Sequence, residues 1–150
     1  MSRSARRSRD SIYMKQALLL LAIASTAFAA DKTLVTRNGL CTAAVPGDWT
    51  VGVITSMGDS ADKKVSFIIS NPSRTDNLAD LKKNAQMMYA EDKVTKDTAS
   101  EFQMEGKGQN GKPNVYRAVI SGKTICIGEV VFESGTIADA RKIAETLRVK

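Results

Sequence analysis

VYRAVISGKTICIGEVVFE, residues 115–133, contains the clearest hairpin pattern of the chain. It holds two β-branched and apolar runs, Val115 to Ser121 and Thr124 to Glu133, which are typical of strands. Gly122 and Lys123 join them as a two-residue loop, and a leading glycine suits the type II′ turn of a tight hairpin. The second run is apolar on both faces up to Glu129, which predicts a central strand covered on both sides.

Upstream of this hairpin, β-branched and apolar residues predict four more strands, the last of them only weakly alternating. Residues 31–38 are polar and are expected to be a short lead-in. The turn Pro46-Gly47-Asp48 and a polar loop over residues 58–64 separate the first three strands. The predicted strands are Leu40 to Val45, Trp49 to Met57, Val65 to Ser70 and Ala99 to Glu105.

Two amphipathic helices complete the pattern. Asn77 is placed to cap the first, with Asp80 at its third position, where a carboxylate interacts well with free amides. Thr136 and Asp139 approximate a capping box at the start of the second. The predicted buried faces are Leu78, Leu81, Ala85 and Met88 in the first helix, and Ile137, Ala140, Ile143, Ala144 and Leu147 in the second.

The resulting order is three strands, helix, three strands, helix, or βββα-βββα. It predicts an α+β fold in which helices pack on a mostly antiparallel six-stranded sheet. Because residues 30–150 contain no internal repeat, linker or low-complexity segment, we interpret them as a single domain.

The N-terminal residues predict export. Lys15 supplies a positive charge after Met14, residues 17–24 form an apolar run, and Ala27-Phe28-Ala29 fits a small-x-small cleavage site, so 14–29 is interpreted as a signal peptide. This run is too short to span a bilayer, and a stable membrane anchor is not expected. Residues 1–13 are interpreted as an over-called start or non-functional extension, with a twin-arginine signal at Arg6-Arg7 as the less favoured alternative.

The charge of the exported part argues against nucleic acid as a partner. The whole chain carries +6, but residues 1–29 hold five of the 22 basic and one of the 16 acidic residues, which leaves +2. The basic surface that nucleic-acid binding requires is therefore largely absent. The expected location is periplasmic or secreted.

Cys41 and Cys126 are the two cysteines of the chain, and both lie in the exported domain. In an oxidising compartment such a pair predicts a disulfide. Two buried, unpaired thiols that behave as small apolar residues remain the alternative. With two thiols and no histidine, the usual zinc ligand sets cannot be assembled.

The string Gly106-Lys107-Gly108-Gln109-Asn110-Gly111 matches G-x-G-x-x-G, but a dinucleotide site needs a helix directly after it. Here a strand is predicted to follow, so we interpret residues 106–114 as a long hairpin loop that binds no nucleotide. Replacing Gly108 with alanine is expected to leave the fold nearly intact unless its φ is positive. Lys107 and Lys112 are candidate partner contacts on this loop.

Other side chains suited to a partner interface are Trp49, Tyr89, Tyr116 and Arg117, although core packing is the alternative for the lone tryptophan. Since histidine is missing, the commonest general base and the usual nucleophile pairs are missing too. We therefore expect a protein that is not an enzyme and that uses no cofactor or metal ion.

The element order, the Pro46-Gly47-Asp48-Trp49 corner and the C-terminal helix ADARKIAETL, residues 138–147, resemble the PsbP-like superfamily. That superfamily includes the extrinsic photosystem II protein and small bacterial periplasmic proteins of the DcrB-like kind. The resemblance implies a curved antiparallel sheet with helices on its faces and a non-enzymatic adaptor or assembly factor. It carries over no catalytic residues.

Three functions remain open at this stage. The favoured one is an exported, non-catalytic interaction protein, such as an inhibitor, immunity-type protein or assembly factor, whose partner is another protein of the cell envelope. The alternative is a small-ligand carrier with a pocket between sheet and helix. A histidine-free hydrolase is the least favoured.

Overall fold

A computed structural model of the chain describes residues 31–72 and 77–150. The predicted signal peptide and the preceding extension lie outside the described residues. The described residues form β1 (Lys32–Val35), β2 (Cys41–Val45), β3 (Thr50–Val51), β4 (Met57–Asp59), β5 (Val65–Ser70), α1 (Leu78–Met88), β6 (Lys93–Asp97), β7 (Glu101–Gly106), β8 (Asn114–Ser121), β9 (Thr124–Phe132), α2 (Ile137–Ala144) and β10 (Arg148–Val149).

These strands form two sheets in which every pair is antiparallel. The larger has the order β3-β4-β5-β9-β8-β7-β6, and the smaller has the order β1-β2-β10. The α+β class and the antiparallel pairing are as predicted. The predicted single six-stranded sheet and the order βββα-βββα are wrong, because the larger sheet has seven strands and a second sheet exists.

The decisive hairpin is confirmed. β8 and β9 pair from Asn114 opposite Val131 to Ser121 opposite Thr124. Gly122 has φ +59°, the positive value that the first position of a type II′ turn requires. β9 lies in the interior of the larger sheet between β5 and β8, as its two apolar faces indicate.

The errors at β1, β6 and β10 share a physical cause, which is that short or exposed strands carry little apolar pattern. Residues 31–38 are not only a lead-in, because β1 pairs with β2 and buries Leu34 completely. β6 is exposed along its whole length, and β10 has two residues. The predicted strand from Trp49 to Met57 is instead the β3–β4 hairpin, with a turn at residues 52–56.

The core lies on both faces of the larger sheet. The smaller sheet and α2 cover one face, where Trp49, Phe67 and Leu147 are buried. α1 covers part of the other face, where Leu81 and Ala85 pack on Phe102 and Tyr116. Within the described ranges, neither helix is long and apolar enough to cross a membrane.

Both helix starts are as predicted. The Asn77 side chain accepts a hydrogen bond from the Asp80 amide, and Thr136 forms a capping box with Asp139. The predicted burial of Met88 in the first helix is wrong, because α1 ends at this residue. That side chain is 53% exposed, whereas the next residue, Tyr89, turns into the core at 5%.

Candidate interaction surface

The turn between β3 and β4 presents two apolar side chains to solvent. Val53 is fully exposed and Ile54 is 73% exposed. Met57 on β4 and Ile68 on β5 lie opposite each other in the sheet and are 38% and 48% exposed. We call these four residues the apolar surface. Exposed apolar side chains grouped in this way mark interaction sites in soluble proteins.

Hydrogen bonds close this turn and fasten it to β1. The Gly52 amide donates to the Met57 carbonyl (3.2 Å), and the Met57 amide donates to the Ile54 carbonyl (3.2 Å). Thr55 fastens the turn to β1, since its carbonyl accepts from the Val35 amide (2.9 Å) and its hydroxyl donates to the Val35 carbonyl (3.0 Å). A surface that is already ordered loses little conformational entropy when a partner binds.

A cavity of about 500 Å³ opens beside the turn. Most of the residues that line it are polar: Thr36, Arg37, Asn38, Ser56, Ser70 and Asn71, together with Ile69. We call it the polar cavity. Ser56 connects it to the apolar surface, because its carbonyl accepts from the amide of Ile69, which also lines the cavity (2.9 Å). Arg37 is its one charged lining residue among the described residues. Asn38 and Asn71 close one side through a hydrogen bond between their side-chain amides (2.8 Å).

A disulfide joins two strands next to the polar cavity. Cys41 on β2 is joined to Cys126 on β9, with their α-carbons 5.6 Å apart, which confirms the predicted pairing. The Cys41 amide donates to the hydroxyl of Thr36, a lining residue (3.1 Å). On the other strand, the Asn71 side chain donates to the carbonyl of Ile125, next to Cys126 (2.7 Å). The disulfide therefore braces the two strands that support this cavity.

Four of the predicted partner contacts are buried. Trp49 is 5% exposed, Tyr89 5%, Tyr116 7% and Arg117 4%. The rings of Tyr89 and Tyr116 lie 5.3 Å apart beneath α1, and burial, with Glu129 nearby, raises the pKa of both phenols. Their burial leaves these four side chains little area for a partner that docks on the folded surface.

The other two predicted contacts, Lys107 and Lys112, are exposed on the loop between β7 and β8. Lys112 forms an ion pair with Glu133. β8 follows this loop directly, so the glycine-rich string precedes a strand, as predicted. Partner contact through the two lysines stays a prediction.

For Gly108 the stated exception applies, so alanine is not expected to be tolerated there. Its φ is +62°, a conformation that disfavours residues with a Cβ. A Cβ added there would lie 3.0 Å from Asn114 Cγ and 3.2 Å from the Lys112 carbonyl oxygen. Among the described residues, no group of three or more histidine, cysteine, aspartate or glutamate side chains is placed to hold a metal ion.

Sequence reasoning missed the residues that form the apolar surface. Val53 and Ile54 are apolar and β-branched, so the sequence pattern includes them in the predicted strand from Trp49 to Met57. Their flanks, Gly52 on one side and Thr55-Ser56 on the other, were the available signal for a turn.

No family model and no curated protein matches the sequence. A comparison of structures finds the solution structure of cyanobacterial PsbP (CyanoP) from Synechocystis sp. PCC 6803, with a TM-score of 0.50 over 87% of this chain and 99% of that chain. The chain has a PsbP-like fold. At 9% sequence identity the likeness is one of fold alone, and it supports the PsbP-like fold that the sequence resemblance implies.

Proposed function

We propose that this chain is an exported, non-catalytic binding protein of the DcrB-like kind that docks a protein of the cell envelope on its apolar surface. The exposure of Val53 and Ile54 on an ordered turn is the observation that carries the proposal. Burying one such side chain contributes about 1.5 to 3 kcal/mol, so two adjacent ones provide a substantial part of a protein interface.

The proposed compartment rests on two independent features. The sequence has the charged, apolar and small-residue regions of a signal peptide at residues 14–29. The disulfide between Cys41 and Cys126 is favoured in an oxidising environment such as the periplasm. The non-catalytic part of the proposal rests on the lack of histidine throughout the sequence.

Affinity capture with matched variants tests this proposal. The mature, disulfide-bonded protein is incubated with periplasmic extract, alongside Ile54→Asp and the control Met87→Asp. Met87 is 64% exposed on α1, outside the apolar surface. We expect one stoichiometric partner that Ile54→Asp loses and Met87→Asp retains. Equal capture by all three forms, or no stoichiometric partner, would contradict the proposal.

A small-ligand carrier is the second candidate, and the polar cavity favours it. Its volume of about 500 Å³ suits a small molecule, although it lies against β4 and β5 rather than between sheet and helix. Native mass spectrometry of the protein purified from its own compartment tests this candidate. A constant added mass that Arg37→Gln removes would support the carrier, and bare protein alone would contradict it.

A further inference from the structure

We propose that a second cavity, separate from the apolar surface and the polar cavity, binds a small monocarboxylate with a short apolar chain. It measures about 240 Å³ and lies where β10 of the smaller sheet meets the end of β8 in the larger one. We call it the arginine cavity, because Arg117 and Arg148 both line it. The inference does not depend on the proposed function.

Arg117 has hydrogen-bonding capacity that the folded chain leaves unused. Its Nη1 donates to Gln103 Oε1 (3.0 Å), and its Nη2 lies 3.3 Å from Glu101 Oε2. Its Nε is buried and has no hydrogen-bond partner among the described residues. A guanidinium carries five N–H donors and the folded chain occupies only part of this capacity, so Arg117 brings a positive charge with unused donors to the cavity wall.

The charges around the arginine cavity also favour an anion. Glu101 is the one carboxylate among the described residues that line it, and this group already forms an ion pair with Lys96. Glu101 lies beside Arg117 alone, whereas Arg148 Nη1 donates to the Glu145 and Leu147 carbonyls, so two guanidinium charges face one partly neutralised carboxylate. Excess positive charge beside low-dielectric walls attracts a carboxylate, which a guanidinium binds through two parallel hydrogen bonds.

The remaining walls indicate what accompanies the carboxylate. Val119 and Val149 contribute apolar surface, and the completely buried Leu147 also lines the cavity. Ser100 and Ser121 supply hydroxyls at the same site. A volume of about 240 Å³ is below the roughly 300 to 1,000 Å³ of most small-molecule sites, so the ligand has few atoms.

Calorimetric titration of the mature protein with acetate, butyrate and hexanoate tests the inference, with 1-hexanol as the uncharged match. We expect affinity to rise with chain length and 1-hexanol not to bind. Arg148→Gln should weaken hexanoate binding about tenfold, the loss expected for one hydrogen bond to a charged group. Arg37→Gln, in the polar cavity, is the control and should bind as the wild type does.

Methyl chemical shifts provide a second measurement that needs no variant. Hexanoate should shift the methyl resonances of Val119 and Val149 and leave those of Val53 and Ile54 unchanged. Equal binding of 1-hexanol, an unaltered affinity in Arg148→Gln, or no binding up to about 10 mM would overturn the inference. Because the apolar surface plays no part here, the loss of its protein partner would leave these results unchanged.

Discussion

Arg141 of α2 forms a bidentate pair with Glu105 of β7, in which Nε donates to Oε1 and Nη2 donates to Oε2, both at 2.7 Å. The Glu105 side chain is 6% exposed, whereas the Arg141 side chain is 41% exposed. This pair therefore links α2 to β7 of the larger sheet through two hydrogen bonds between charged groups.

The pair predicts acid sensitivity. The Arg141 guanidinium, with further help from Gln103, holds the pKa of Glu105 below its usual 4.5. A carboxyl whose pKa is depressed on folding contributes stability that is fully present above the unfolded-state value and is lost as pH falls through the folded-state value. Wild type should therefore lose more unfolding free energy between pH 7 and pH 3 than Glu105→Gln does.

Urea denaturation at the two pH values measures this difference. Glu101 also has a lowered pKa, chiefly through its hydrogen bond with Lys96, and it titrates in both forms. The contribution of Glu105 is thus isolated by subtraction. Parallel pH profiles for wild type and Glu105→Gln would show that the pair contributes no acid sensitivity.

The disulfide predicts a large stability loss on removal. Cys41 and Cys126 are 85 residues apart in sequence, so their bond restricts a long loop in the unfolded chain. Replacing both by alanine should reduce the unfolding free energy by about 2 to 5 kcal/mol. Adding reductant should lower the unfolding free energy of the wild type towards that of the variant. Denaturant unfolding measures the change. Two alkylatable thiols in the mature protein without reductant would contradict the bond itself.

Two glycine-to-alanine substitutions in the glycine-rich loop should lower the free energy of unfolding by different amounts. Gly108 and Gly111 both have positive φ, +62° and +69°, but a Cβ at Gly111 would meet nothing within 4 Å. Gly111→Ala should therefore cost about 1 kcal/mol for backbone strain alone, and Gly108→Ala should cost more because of its contact with Asn114. Thermal unfolding of both variants tests the order, which equal melting temperatures would contradict.

The same loop should bind no nucleotide, because β8 rather than a helix follows it. Calorimetric titration with ATP and NAD should give no binding heat for wild type. Micromolar binding that Gly108→Ala abolishes would make the loop a site and would weaken the non-catalytic proposal.

The sequence predicted the elements whose pattern is long and local. Gly122 and Lys123 located the hairpin, and Asn77 and Thr136 located both helix starts, because turns and caps depend on a few adjacent residues. The sequence analysis missed β1, β6 and β10 because these strands have only two to five residues, and β6 is exposed along its whole length, so they carry little apolar pattern.

The sequence analysis missed the apolar surface for the opposite reason, which is that its residues do carry a strong apolar pattern. An apolar residue in a sequence is expected in the core, so Val53 and Ile54 extended a strand that in fact ends at Val51. Tyr116 and Arg117 were conversely expected at an interface and are buried. Composition indicates that a side chain is able to form an interface, but only the tertiary structure determines whether it reaches the surface.

Site-specific photo-crosslinking in the exporting cell tests whether the apolar surface docks a protein of the cell envelope. A photoreactive amino acid is placed at Ile54, or at Met87 as the exposed control. We expect one discrete crosslinked product with an envelope protein from position 54 and none from position 87. No discrete product from position 54, or the same product from both positions, would contradict the claim that the apolar surface is a docking site.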